Sequence, residues 1–254
     1  MRLNAAITWP GATLRAMCFL ALAPTIPLQA QTQHTLQAGR ELAIAGIGIA
    51  FVGLGAWQAD RNVDRVPASI DLSTVPMFDR VATRQWSLPA HRTSNVLFGV
   101  ALCAALTASI ANQRGERPLL PVAIIAESAL LSVGLTNTAK ELVRRPRPYL
   151  YNPNVPPSAH NTGEDHVSFW SGHTANIAAI TFSSASMVQR SDASSTMKTA
   201  TWIGAALAPA AMGYLRVRAG RHFPTDVLTG YAVGALVGLA VPYFHRAEKG
   251  AFGN

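Results

Sequence analysis

The sequence predicts an all-α fold, a bundle of about six helices embedded in a membrane, and three observations carry that reading. Of the 254 residues, 49% are hydrophobic and 13% charged, where an average soluble domain carries about 25% charged residues. Six apolar stretches recur along the chain, rich in Ala, Leu, Gly and Ile and without the alternation of a half-buried strand. Their lengths straddle the roughly 17 to 25 residues that cross a bilayer, so each suits a short span or a buried bundle helix. No polar stretch is long enough to serve as a linker between domains, so residues 31–254 read as a single domain.

The elements follow in order. Residues 1–30 form a signal-like segment: Arg2 and Arg15 precede an apolar run broken by Pro24 and Pro27, and Leu28-Gln29-Ala30 stands before the polar Gln31. Cys18 lies in that segment and Cys103 in a later helix, so the mature chain has no internal disulfide. Helices are expected over 42–57, 93–111, 119–139, 174–188, 200–215 and 227–244. Between them lie a polar connection over 58–92, a tight turn over 112–118, a long loop over 144–170 and a polar turn over 190–198. Gly230, Gly234 and Gly238 recur every four residues in the last helix, a ridge for close helix packing. The net charge is +8, carried mostly by arginine. The arginines sit at the ends of apolar segments rather than in basic runs interleaved with aromatics, which excludes a nucleic-acid groove and leaves phosphate and membrane surfaces as partners.

Three clusters carry chemistry. The first runs from Lys140 to Pro148, where Pro146 disfavours helix at Arg145 and ends the third helix soon after Lys140. Lysine supplies a mobile point charge and Arg147 a planar fork, devices that suit phosphate oxygens. Taken alone, such residues are more often membrane-boundary anchors. The second, Ser171-Gly172-His173, opens the fourth helix. Ser171 is placed as its N-cap, and the free N–H groups there bind anions beside Gly172. By itself it is more often an ordinary capped helix. The third runs from Arg216 through His222 to Asp226, with Pro224 in the first turn of the last helix. Asp226 is placed to reach back to His222, fixing its tautomer and leaving the other ring nitrogen free to attack. Its common alternative is a helix-start acid satisfying backbone donors. The acidic and histidine-bearing loop 160–166 has no ligand spacing and reads as solvated, so no metal site is expected.

Together Lys-x6-Arg-Pro, Ser-Gly-His and Arg-x5-His-x3-Asp resemble the three-part signature of the type 2 phosphatidic acid phosphatases, a superfamily shared with bacterial acid phosphatases and vanadium haloperoxidases. The motifs span 140 to 226. Trp170 stands where the family usually has proline and Leu215 where it often has serine; Trp170 is expected to reshape the pocket mouth. The resemblance implies that Lys140, Arg147, Ser171, Gly172 and Arg216 bind the phosphoryl oxygens. It also implies that His222 is the nucleophile forming a phosphohistidine, oriented by Asp226, and that His173 is the general acid. No cofactor is implied.

The reading that results is a phosphatase for lipid phosphates or pyrophosphates in a bacterial inner membrane, with membrane lipids around it and its site facing the periplasm. The alternatives are a soluble periplasmic non-specific acid phosphatase, a vanadium-dependent haloperoxidase, and an inactive phospholipid-binding protein. If the signal is cleaved and all six segments span, the motifs end in the cytoplasm; without cleavage, or with one span fewer, they face the periplasm. Arg114, Arg117, Arg190, Lys198, Arg246 and Lys249 lie at the end away from the motifs, as a cytoplasmic face requires.

Overall fold

Capping and turn chemistry divide the described residues into six α-helices: α1 (Ala38–Arg61), α2 (Leu88–Ala111), α3 (Leu119–Val143), α4 (Gly172–Arg190), α5 (Ser195–Arg218) and α6 (Pro224–Phe244). This computed structural model describes residues 34–62, 70–112, 118–160 and 163–247. The signal-like segment lies outside the described residues. Among them there is no strand beyond one isolated bridge between His34 and Arg246. The expected helices are all present and each is longer than its apolar stretch, because polar first and last turns belong to them. Ser87 accepts from the Ala90 amide at 3.2 Å and so starts α2 five residues before the apolar run. Ser194 caps α5 in the same way through Met197. Arg144 ends α3 in the left-handed region at φ 50°, and Pro146 then disfavours helix at Arg145.

Successive helices alternate in direction, so α1, α3 and α5 end where α2, α4 and α6 begin. α4 is the central rod, packed against α2, α3, α5 and α6, and its middle is buried on nearly every side. The glycine ridge of α6 makes this approach possible: a Cβ at Gly230 would lie 2.7 Å from the Ser171 carbonyl oxygen, and Gly234 and Gly238 meet the Ala175 and Ala179 carbonyls in the same way. α1 and α3 run side by side in the same direction, with Gly134 against the Gly48 carbonyl and Thr138 Oγ1 donating to Phe51 O at 2.9 Å. The core around Ile124, Ile125, Ile180 and Val237 is apolar, and small hydroxyls join the rods: Ser128 to Ser183 at 3.2 Å and Ser109 to Ser184 at 2.9 Å.

The outward faces are apolar too. Leu42, Val96, Leu207 and Leu236, on four different helices, are each more than half exposed, and large apolar side chains recur over the outward faces as they do on surfaces that meet a membrane. Four helices, α1, α2, α3 and α6, are long and apolar enough to cross a membrane. At the far end from the motifs the beginning and end of the described chain are tied together. His245, just after α6, donates Nδ1–H to Val241 O at 2.8 Å, while its Nε2 meets Glu41 Oε2 of α1 at 2.7 Å and Glu127 Oε2 of α3 at 3.1 Å. Arg40 adds a bond to Phe244 O at 2.9 Å.

Candidate active site

The three sequence clusters meet at one end of the bundle because each lies where a helix ends or begins on that side. Lys140 is in the last turn of α3. Arg147 follows the turn made by Arg144 and Pro146, and is 3% exposed. Its plane is set by backbone acceptors: Nε donates to Glu164 O at 2.6 Å and Nη1 to Arg221 O at 3.1 Å. Arg216, in the last turn of α5 and 4% exposed, donates Nη1 to Ser94 Oγ at 3.2 Å and to His91 Nδ1 at 3.0 Å, both on the first turns of α2. Its Nε is buried without a hydrogen-bond partner, and so is Nε of Arg221. Gly220, at φ +70°, turns the chain between α5 and α6 and brings Arg221 and His222 inward.

A cavity of about 920 Å³ opens among these residues and is lined by Lys140, Arg147, His173, Arg216, Arg221 and His222, with Trp86, His91, His160 and Glu164 at its walls. Four cationic side chains thus face one carboxylate. That carboxylate, on a half-exposed Glu164, lies 3.4 Å from Arg147 and 3.7 Å from Arg221. The excess of positive charge among the lining side chains makes the cavity suited to an anion.

His222 is 1% exposed, and its Nδ1 donates to Ser168 O at 2.8 Å. That bond puts the proton on Nδ1 and leaves Nε2 as the nitrogen with a lone pair. Burial first, and then the charges of Arg147, Arg216 and Lys140, hold its pKa well below the ordinary 6.5, so the ring is neutral. His173, second residue of α4, packs its edge on Phe98 and meets Asn95 Oδ1 through Nε2 at 3.2 Å.

Of the eight expected site residues, five line the cavity and three stand behind it. Gly172 packs on α3, where a Cβ would come within 3.2 Å of Thr136 Cγ2 and 3.8 Å of Lys140 Nζ. Ser171 stands at the N-cap of α4 as expected, but its side chain caps nothing. Its Oγ shares a hydrogen bond with Thr174 Oγ1 at 3.0 Å, it is fully buried, and its amide donates to Asp226 O at 3.0 Å. Asp226 does not accept from His222. Its Oδ2 lies 3.8 Å from Nδ1 and takes instead Ser168 Oγ at 2.6 Å and the Phe223 amide at 2.9 Å, so the helix-start role and a packing role fill that oxygen. The orienting acceptor for His222 is the Ser168 carbonyl, which no side-chain motif reveals.

Two further expectations are corrected. The 160–166 loop is not solvated throughout: Asp165 and His166 are buried, Glu164 supplies both a carbonyl and a carboxylate to Arg147, and His160 lines the cavity. Trp170 does not shape the mouth; its Nε1 donates to Thr136 Oγ1 at 2.8 Å on α3, and Trp86 lines the cavity in its place. Sequence reasoning also passed over Arg221, although it sits beside His222 inside the third motif. Among the described residues, Glu41, Glu127 and His245 are the His, Cys, Asp and Glu side chains close enough to hold a metal, and they lie at the opposite end of the bundle.

The family model of the PAP2 superfamily matches residues 121–249 of this chain. Among solved structures, the chain is similar to the first transmembrane PAP2 type phosphatidylglycerolphosphate phosphatase from Bacillus subtilis. The two are 20% identical, the match covers 78% of this chain and 94% of that one, and the TM-score is 0.47. No curated protein matches the chain.

Proposed function

The chain belongs to the PAP2 superfamily, and from that premise we propose that it is a membrane-embedded phosphatase that cleaves lipid phosphates or pyrophosphates through a phosphohistidine on His222. The observation that carries this reading is the convergence of Lys140, Arg147, Arg216 and Arg221 on one cavity whose wall includes a buried, neutral histidine.

The phosphoryl group enters between the cations and displaces the Glu164 carboxylate, taking over the guanidinium donors of Arg147 and Arg221 that met it. Fixed in place before the substrate arrives, these donors stabilise the charge that grows on the equatorial oxygens in the transition state. The same positive charge that keeps the empty site's His222 neutral is offset by the bound phosphate, so the imidazole gains basicity as it attacks. Burial, and then the charges of Arg216 and Lys140, lower the pKa of His173 to about 3 in the empty site, so His173 takes up its proton as the bound phosphate offsets those charges. His222 Nε2 then bonds to phosphorus and the ester oxygen leaves with that proton. Water then attacks the phosphohistidine and His173 accepts its proton. The guanidinium and ammonium groups supply the positive charge that a metal supplies elsewhere, so the scheme runs without one. Apolar outward faces on α1, α2, α5 and α6 support a bilayer around the bundle and a substrate that arrives from it. The site end faces the periplasm in this reading.

The test is membrane fractionation followed by a phosphate-release panel of lipid monophosphates, isoprenyl-type pyrophosphates and soluble esters, with and without chelator. Activity in the membrane fraction that survives chelator and falls with vanadate is expected. Loss in chelator with restoration by magnesium would sink the metal-free scheme. Full activity in the soluble fraction would select the soluble acid phosphatase, and halide oxidation with added vanadate and peroxide would select the haloperoxidase.

A further inference from the structure

Asp79 lies in the connection between α1 and α2, outside all three motifs and outside the residues matched by the family. It precedes the short 3₁₀ turn Arg80–Arg84 yet makes no side-chain cap to it, and it is fully buried. A buried carboxylate must be paired, and both its oxygens are spent on the active-site end of the bundle. Oδ1 accepts from the Thr225 amide at 3.0 Å, and Oδ2 accepts from Thr225 Oγ1 at 2.6 Å and Arg145 Nη2 at 2.7 Å. The other branch of the same guanidinium, Nη1, donates to Asp226 Oδ1 at 2.6 Å and to Thr225 Oγ1 at 2.8 Å. Arg145 lies flat over the Phe223 ring, 3.9 Å from its centroid.

We propose that Asp79 is a positioning residue of the phosphatase centre, acting through Arg145 on Asp226 and from there on the carbonyl that seats His222. The chain of contacts is continuous: Asp226 Oδ2 accepts from Ser168 Oγ at 2.6 Å, and Ser168 O accepts from His222 Nδ1 at 2.8 Å. Ser168 is held from the other side as well, its amide donating to Arg145 O at 3.0 Å. Arg145 therefore touches the Ser168 segment through its own backbone and through Asp226.

A guanidinium is a planar fork, and two carboxylates on its two branches fix both its position and its plane. With Asp79 neutral, one branch loses its charged acceptor. The fork then turns about the Asp226 contact, Asp226 follows, and the Ser168 carbonyl shifts under His222. A displacement of about 1 Å at a nucleophile costs about 100-fold in rate while binding is kept. No side chain of the phosphate-binding cations is a member of this chain of contacts, which meets them only at the Arg221 carbonyl, 3.5 Å from Ser168 Oγ, so the loss falls mainly on turnover.

The inference rests on the phosphatase reading for its readout, and the experiment separates the two. With the full chain in detergent or bilayer discs, kcat and KM for phosphate release are compared in wild type, Asp79→Asn, Asp226→Asn and the double variant, each per folded molecule. Asp79→Asn is expected to lower kcat about 10- to 100-fold with KM within about twofold, and to add less than about twofold in the Asp226→Asn background. Arg145→Lys keeps the charge but cannot span both carboxylates, and is expected to reproduce the kcat loss; it serves where Asp79→Asn yields no folded protein. Wild-type kcat in folded Asp79→Asn or Arg145→Lys overturns the inference, and so do penalties that multiply in full in the double variant. Failure of the phosphatase reading shows differently, as wild-type protein that releases no phosphate or as His222→Ala with undiminished turnover.

Discussion

The two ends of the bundle each bury a histidine whose Nδ1 donates to a backbone carbonyl at 2.8 Å, yet they do opposite things with the second nitrogen. At one end His222 Nε2 belongs to a residue on the wall of a cation-rich cavity. At the other, His245 Nε2 is held between the carboxylates of Glu41 and Glu127 and ties α1, α3 and α6 together. The backbone bond fixes the tautomer in both cases. What separates the proposed nucleophile from the clasp is the sign of the charge around each ring. Burial, and then the cations around it, keep the His222 ring neutral, whereas carboxylates face the second nitrogen of His245.

The comparison breaks most sharply on the histidines themselves. His222→Ala is expected to abolish phosphate release, by on the order of 10³-fold or more, and to remove any acid-labile phosphoenzyme trapped by rapid quench. His245→Ala is expected to keep turnover per folded molecule while losing about 1–3 kcal/mol of stability, because Glu127 loses its imidazole partner and only Glu41 keeps others, Arg40 and the Gln37 amide. A trapped phosphoenzyme in His222→Ala, or a dead but fully stable His245→Ala, would reverse the assignment of the two ends.

Removing the cations tests the other half of the contrast. Lys140→Ala, Arg147→Ala and Arg216→Ala are each expected to cut kcat/KM about 10²- to 10³-fold, with folding intact by thermal melting. Three near-wild-type enzymes would mean that the cluster anchors the helix ends to the membrane and does nothing in the cavity.

A smaller and selective effect sharpens the division of labour within the cavity. His173→Ala is expected to lower turnover of an alkyl phosphate about 10²-fold and that of the nitrophenyl ester far less, since nitrophenolate leaves without a proton. An unchanged ratio of the two rates against wild type would remove His173 from the role of acid.

How much of this was legible follows from the range of each interaction. Six helices could be read because apolar stretches and their stops are local, and α4 could be placed at a helix start because Ser171-Gly172-His173 follows a loop rich in turn formers. The reading failed for the loop 160–166, whose polar composition looks solvated until Arg147 and Tyr149 are found beneath it. It failed for Trp170, which packs on α3 instead of the mouth. Asp79 carried no signal at all, since its partners lie 66 and 146 residues away in sequence.

The sequence by itself determined which helices form, where each lies to within a turn or so, and which residues cluster at their ends, because capping, proline restriction and apolar periodicity act over a few residues. The tertiary structure alone decided the rest. It turned Ser171 away from its cap, gave His222 the Ser168 carbonyl in place of Asp226, and spent Asp226 on Arg145. These outcomes depend on which helix ends meet and at what angle, and an ion or hydrogen bond between distant segments is fixed only when packing has brought both partners out of water.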